Sequence, residues 1–142
     1  MENIALSPHF TLHELVASQT ATRKGITQQF EPGPDILDNL RFLCVELLEK
    51  LRELNGNKPI HLSSGYRCPE LNKAVGGVST SQHVSGQAAD IDFGSKQANR
   101  EFFEKVKAST IVFDQLINEY DYSWVHVSLK RDHNRKQIVN IV

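Results

Sequence analysis

Two histidines and one carboxylate in this chain have the residue types and spacing of a metal site. His83 and Asp90 lie seven positions apart, and Gly86 between them allows the backbone to bend so that both side chains converge. His126 lies far downstream, in a run that alternates as a strand does. Two imidazoles and a carboxylate form a three-ligand set that zinc accepts, and the open fourth position suits a catalytic water. The pattern therefore predicts a metal-dependent hydrolase.

These residues also have plainer interpretations. Taken alone, His126 between two valines is more typical of a half-buried ring that bonds a backbone carbonyl, but the spacing of His83 and Asp90 reverses that preference. Asp92 shares the predicted strand face of Asp90, which makes it a candidate for orienting a ligand imidazole. The remaining histidines are weaker candidates and are interpreted as surface or structural residues: His9, His13, His61 and His133.

The elements that must position these residues begin with helices. Thr11 and Glu14 form a capping box that predicts a short helix, whereas residues 18–33 are polar and are interpreted as an irregular connection. Pro34 predicts the first turn of a long helix, and Gly56 is placed to end it. Apolar residues recur along that helix at spacings of three and four, which predicts one buried face: Ile36, Leu40, Leu43, Leu47, Leu51 and Leu54.

The second half of the chain is richer in predicted strands. Strands are expected at 59–63, 87–93 and 138–142, and helices at 69–75 and 95–109. Residues 110–119 and 124–130 are expected to form an antiparallel pair around a turn at 120–123. Because helices come early and locally connected strands come late, the order favours an α+β fold, with a mainly antiparallel sheet packed against helices. One domain is expected over residues 1–142.

The composition of the chain bears on which binding partners are expected. The net charge of −1 gives no reason to expect binding to nucleic acid or to an anionic membrane. No apolar run approaches the ~20 residues that a transmembrane helix needs, and the first residues do not resemble an export signal. The two cysteines, Cys44 and Cys68, are interpreted as reduced thiols.

Several motifs resemble those of the D-alanyl-D-alanine carboxypeptidase family of zinc metallopeptidases, which shares a fold with the Hedgehog signalling domain. The pattern Ser-x-His-x-x-Gly-x-Ala-x-Asp is matched over residues 81–90, and Trp-x-His at residues 124–126. Residues 64–67 match a Ser-Gly-Tyr-Arg element that precedes the zinc loop in the family. The likeness extends to Phe10-Thr-Leu, Leu71-Asn72, Gly76-Gly77 and Phe113-Asp-Gln-Leu-Ile117, and is closest to the compact, single-domain branch of bacteria and phages.

The resemblance implies a Hedgehog/D,D-peptidase-like fold and hydrolysis of peptidoglycan stem peptides, as a D,D-carboxypeptidase or an endolysin-like endopeptidase. Zn²⁺ would be held by His83, Asp90 and His126. Arg67 would pair with a substrate carboxylate, because a planar guanidinium suits that contact. Ser81 and Trp124 are assigned to the same substrate cleft, with Tyr66 as another candidate for its wall.

The general base is open between two carboxylates. Family members carry an acid or imidazole shortly before the last zinc histidine, but Ser123 and Trp124 cannot serve. Glu119 is preferred over Asp121 because it ends a predicted strand, and a hairpin loop with an even number of residues would put it on the sheet face of His126.

Two other functions remain open from the sequence. The same fold can hold zinc without catalysis and act as a binding module for cell-wall fragments or a protein, and an α+β domain with incidental histidines is the plainest alternative. We expect a monomer. Without an export signal, the protein is expected to stay in the cytoplasm and, if of phage origin, to reach the cell wall on lysis.

Overall fold

The computed structural model describes all 142 residues and is dominated by a five-stranded sheet. Its strands are β3 (Leu62–Ser64), β4 (Ala88–Ile91), β5 (Gln115–Glu119), β6 (Trp124–Ser128) and β7 (Gln137–Asn140). Their order across the sheet is β3-β4-β6-β5-β7. Only β5 and β7 run parallel, and the other neighbours are antiparallel. The expected α+β fold with a mainly antiparallel sheet is confirmed.

The chain begins with a small sheet and a capped helix. Strands β1 (Ala5–Ser7) and β2 (Phe10–Thr11) pair antiparallel, a pair that the sequence did not predict. Helix α1 (Leu12–Val16) follows, and both halves of its predicted capping box are present. The Thr11 hydroxyl accepts from the Glu14 amide, and the Glu14 carboxylate accepts from the Thr11 amide.

The interpretation of residues 18–33 as an irregular connection is wrong. Helix α2 (Gln19–Lys24) begins at a Ser18 cap and ends at Gly25, whose φ of 67° is the left-handed conformation that glycine adopts without strain. A 3₁₀ turn (Thr27–Phe30) follows. Its Gln29 is fully buried and bonds three backbone groups, those of Val16, Tyr66 and Cys68. The buried amide of Gln29, together with the apolar side chains of Ala21 and Ile26, holds this segment in place.

The predicted long helix runs from Pro34 to Leu54 with one irregularity. Helix α3 (Pro34–Leu43) passes into a π turn (Cys44–Leu48) and continues as α4 (Glu49–Leu54). Pro34 occupies the first turn, and Gly56 follows the end of the helix with a φ of 72°, as expected. The π turn shifts the apolar stripe by one residue. Consecutive residues Leu47 and Leu48 are consequently both fully buried.

The main sheet has one face in the core and one face toward the predicted metal site. The core face carries Ile91, Leu116, Val125 and Val127, all fully buried. Because side chains alternate along a strand, the intervening residues of the same strands share the opposite face. That face carries Asp90, Ile117, Glu119, Trp124 and His126.

Two more helices complete the fold. Helix α5 (Pro69–Ala74) and helix α6 (Lys96–Ala108) lie where the sequence predicts them, and the Ser95 hydroxyl caps α6. The strand predicted from residue 110 begins only at Gln115, and that predicted from residue 59 only at Leu62. Cys44 and Cys68 are free thiols, as expected. No helix has the length and apolar character that crossing a bilayer requires.

Candidate metal centre

The pairing of two strands brings a carboxylate and an imidazole together. Asp90 on β4 lies directly opposite His126 on β6, so both side chains project from the same face of the sheet. The loop before β4 returns His83 to the same point. Oδ1 of Asp90 is 3.0 Å from Nδ1 of His126 and 3.2 Å from Nε2 of His83. All three residues are buried.

The donor atoms fit a zinc ion. One atom from each of His83, Asp90 and His126 lies within 4.8 Å of the other two. Ligand atoms about 2.0–2.2 Å from a tetrahedral zinc stand ~3.3 Å apart, close to the two separations from Asp90. The three ligand atoms are two nitrogens and one oxygen, and zinc accepts both elements. Three protein ligands leave a fourth coordination position for solvent or substrate.

The hydrogen bonding of His83 directs its Nε2 atom toward the metal site. Its Nδ1–H donates to the carbonyl oxygen of Gly65 at 2.6 Å, which leaves Nε2 as the free ring nitrogen. Nε2 faces the carboxylate of Asp90, and a metal ion or a proton between the two atoms relieves the repulsion of their lone pairs. The sequence suggested Asp92 for the orienting role, which was wrong. Oδ1 of Asp92 instead accepts from Gly94 and Asn99, away from both imidazoles.

Asp90 is held in its charged form. Burial opposes its ionisation, but the two neighbouring imidazoles outweigh burial and hold the pKa of this carboxyl well below its usual range. The site therefore offers an anionic oxygen together with two imidazole nitrogens, and three such ligands leave a net positive charge on a bound divalent cation.

The loop that carries His83 is held from both sides. Gly86 has a φ of 74°, and a Cβ there would come within 3.3 Å of Ile36, so the glycine that the sequence singled out is needed for both reasons. The side-chain amide of Asn39 on α3 donates to the Ser85 carbonyl. From the other side, the amide of Gln82 donates to Asp114 at 2.9 Å. These contacts place the imidazole of His83 with little freedom.

Asp114 supports the loop of His83 through Gln82, a contact that the sequence analysis did not predict. Its carboxylate is fully buried and accepts from the Arg135 guanidinium at 2.7 and 3.0 Å as well as from Gln82. These hydrogen bonds, led by those of Arg135, hold the pKa of Asp114 well below its usual range. The residue belongs to the Phe113–Ile117 motif, and that motif was the only signal that marked it in the sequence.

Glu119 lies in the same cleft as the donor atoms. The turn between β5 and β6 contains four residues, and Glu119 pairs with Trp124 while Ile117 pairs with His126. The even loop therefore puts Glu119 on the face of His126, two residue pairs further along the hairpin. Burial raises the pKa of Glu119, and the negative charge of Asp90 adds to that rise against the opposing effect of the imidazoles and Arg67. A carboxyl with a raised pKa is suited to both accepting and releasing a proton.

Asp121 is directed away from the cleft. It lies in the turn, is exposed, and approaches Lys96 at 3.7 Å. Tyr120, Asp121 and Tyr122 all have positive φ, between 48° and 64°, which is costly for residues with a Cβ. Asn118 and Asn99 hold this strained turn by hydrogen bonds to the backbone of Tyr122. One result of the turn is that the Tyr120 ring lies 5.2 Å from that of Trp124.

The residues predicted to bind substrate line the same cleft. The cleft has a volume of about 430 Å³, and its walls include Arg67, Ser81, Glu119 and Trp124 beside the three donor residues. The Arg67 guanidinium donates to the Ser81 hydroxyl at 3.2 Å, and its Nε has no partner in the chain. Burial lowers the pKa of Arg67, although the carboxylates of the cleft oppose this. Tyr66 is buried and contributes to a neighbouring groove, so it does not wall this cleft.

Comparison with known proteins agrees with this geometry. The model of one protein family, described as Peptidase M15, matches residues 8–128. A segment of 49 residues is 43% identical to a protein of Streptomyces albus G named zinc D-Ala-D-Ala carboxypeptidase. That segment covers 34% of this chain and 19% of the relative. The family that the motifs predicted is confirmed, and the three predicted metal ligands form a group that could hold a metal ion.

Proposed function

Because the chain belongs to the Peptidase M15 family, we propose that it is a zinc-dependent peptidase that cleaves peptidoglycan stem peptides. The observation that carries the proposal is the common cleft. Glu119 and Arg67 line the cavity on which the donor atoms of His83, Asp90 and His126 converge. Metal ligands, a carboxyl with raised pKa and a guanidinium with an unpartnered nitrogen are the parts that metal-assisted hydrolysis of a peptide requires.

The residues of the chain divide the work of hydrolysis. His83, Asp90 and His126 would hold the zinc ion, which would supply an acidified water and polarise a carbonyl group. Glu119 takes the proton of the attacking water and delivers it to the leaving amine. Arg67 binds a substrate carboxylate and so sets which peptide bond faces the donor residues. Trp124 and Tyr120 form one wall of the cleft and limit the access of bulk water.

The function is tested by digestion of purified peptidoglycan with zinc-loaded protein. We expect new amino groups, released only when zinc is present, and mass spectrometry of the fragments identifies the bond. Released D-alanine indicates a D,D-carboxypeptidase, whereas cleaved cross-links between stem peptides indicate an endopeptidase. Zinc-loaded protein that binds peptidoglycan and releases neither product would favour the inactive binding module instead.

The setting of the reaction is part of the proposal. We propose that the protein acts as an endolysin-like monomer that meets the cell wall once the membrane has been breached. The relative is named as a D-Ala-D-Ala carboxypeptidase, which supports a stem-peptide substrate. Producing the protein inside bacterial cells and then permeabilising the cytoplasmic membrane tests the route, since lysis is expected only after permeabilisation.

A further inference from the structure

A second groove adjoins the metal cleft and, unlike the cleft, has no acidic residue in its walls. It lies between α2 and β3 and has a volume of about 550 Å³. Arg23 and His61 line it together with Ser63 and Ser64, and none of its 13 lining residues is acidic. We call it the β3-edge groove.

The β3-edge groove is continuous with the metal cleft. Arg67 and Val75 line both cavities, so the two meet at the guanidinium already assigned to substrate binding. A peptide whose scissile bond lies beside His83 and Glu119 can extend past Arg67 into the groove. The groove is therefore positioned for a part of the same substrate that lies remote from the bond being cut.

The wall formed by β3 suits an extended peptide. β3 is the edge strand of the main sheet, and its one strand neighbour is β4. An edge strand presents backbone groups with which a further extended chain can pair. Residues 17–20 form the opposite wall, which makes the site a channel along β3 rather than a flat surface.

The two cavities differ in their acidic groups. The metal cleft contains the carboxylates of Asp90 and Glu119 beside Arg67, whereas the β3-edge groove contains the guanidinium groups of Arg23 and Arg67 and no carboxylate. A substrate carboxylate in the groove therefore meets positive side chains without a competing carboxylate. Arg23 is exposed in the last turn of α2, so it is available to a ligand.

We propose that the β3-edge groove is a second substrate subsite, in which Arg23 binds a side carboxylate of an extended, acidic peptide. The inference rests on the proposed function, because it takes as occupant the part of the cleaved peptide beyond Arg67. Stem peptides carry such carboxylates, and some carry the carboxamide in their place. Arg23 would therefore discriminate between acidic and amidated substrates.

The test compares two synthetic peptides that differ only in one side group, a carboxylate or a carboxamide. We expect Arg23→Gln to raise KM for the acidic peptide about threefold to fivefold, the range for an exposed ion pair, with kcat unchanged and the amidated peptide unaffected. Arg23→Lys should restore much of the difference. Arg41→Gln is the matched control, since Arg41 is also an exposed helical arginine and lies outside both cavities.

The outcomes separate this inference from the proposed function. Cleavage of both peptides with an acidic-to-amidated ratio that Arg23→Gln does not change would overturn the subsite alone. Absence of cleavage by the wild type would overturn the function, and calorimetric titration of both peptides into zinc-loaded protein then decides the subsite. Weaker binding of the acidic peptide to Arg23→Gln supports it, and equal binding to both proteins overturns it.

Discussion

The carbonyl of Gly65 and the imidazole of His83 are joined by a hydrogen bond of 2.6 Å. This bond commits Nδ1 to the backbone and leaves Nε2 for the metal site. Gly65 can take this role because it lies tightly against α1, where the Leu15 carbonyl also accepts from the Tyr66 amide at 2.7 Å. The orientation of a metal ligand is thereby tied to the packing of the first helix.

Replacement of Gly65 should loosen the site without touching a ligand. A Cβ at this position would lie 2.4 Å from the Leu15 carbonyl oxygen, so Gly65→Ala must displace the backbone that orients His83. We expect zinc affinity to fall about 10- to 100-fold, measured by competition with a chelator. Gly33→Ala is the control, because nothing lies within 4 Å of a Cβ there. Unchanged affinity in Gly65→Ala would show that the carbonyl contact does not orient the ring.

Removal of a ligand should remove the metal. His83→Ala, Asp90→Ala and His126→Ala are each expected to reduce bound zinc from about one per chain to near zero, because two remaining ligands hold the ion poorly. Metal analysis of the purified protein measures this, and thermal unfolding of wild type with and without chelator shows how far zinc stabilises the fold. His133→Ala, which removes an exposed imidazole, should keep its zinc. Full zinc content in the three ligand variants would refute the site.

The roles of Glu119 and Asp121 can be distinguished by replacing each carboxylate with the corresponding amide. Glu119→Gln should keep zinc and fold but lower kcat by about 10²- to 10⁴-fold, since the amide cannot accept the proton of the attacking water. Asp121→Asn should leave kcat near that of wild type, because Asp121 is exposed and faces Lys96. Steady-state kinetics with matched zinc content measure both. The reverse pattern would assign the proton transfer to Asp121.

We expect Asp114 to make the free energy of unfolding depend on pH in the acidic range. Its hydrogen bonds with Arg135 lower the pKa of the folded carboxyl, so their contribution is fully present above the unfolded value of ~3.9 and is lost as the pH falls through the folded value. We expect Asp114→Asn to lower the free energy of unfolding at pH 7 by about 1–3 kcal/mol and to flatten its decline below pH ~4. Denaturant unfolding across pH measures both, with the exposed Asp132→Asn as control. Parallel pH profiles for wild type and Asp114→Asn would contradict the assignment.

Local sequence signals predicted the elements that depend on neighbouring residues. The capping box at Thr11 and the proline at position 34 each act within one turn of helix, and each lies where it was expected. The prediction for residues 18–33 was wrong because the structure of this segment depends on the buried Gln29. The three backbone groups that bond Gln29 come from other parts of the chain. The spacing of hydrophobic residues along the sequence does not indicate such contacts.

The sequence by itself determined the chemistry of the site: two imidazoles, one carboxylate and a glycine between them are a matter of residue type and spacing. Only the tertiary structure decided how they are used. The register of β5 on β6 puts Glu119 in the cleft and leaves Asp121 outside it, and the packing of Gly65 on α1 selects which nitrogen of His83 is free. Strand register and ring tautomer depend on contacts between residues far apart in the chain, and these form only when the whole sheet has assembled.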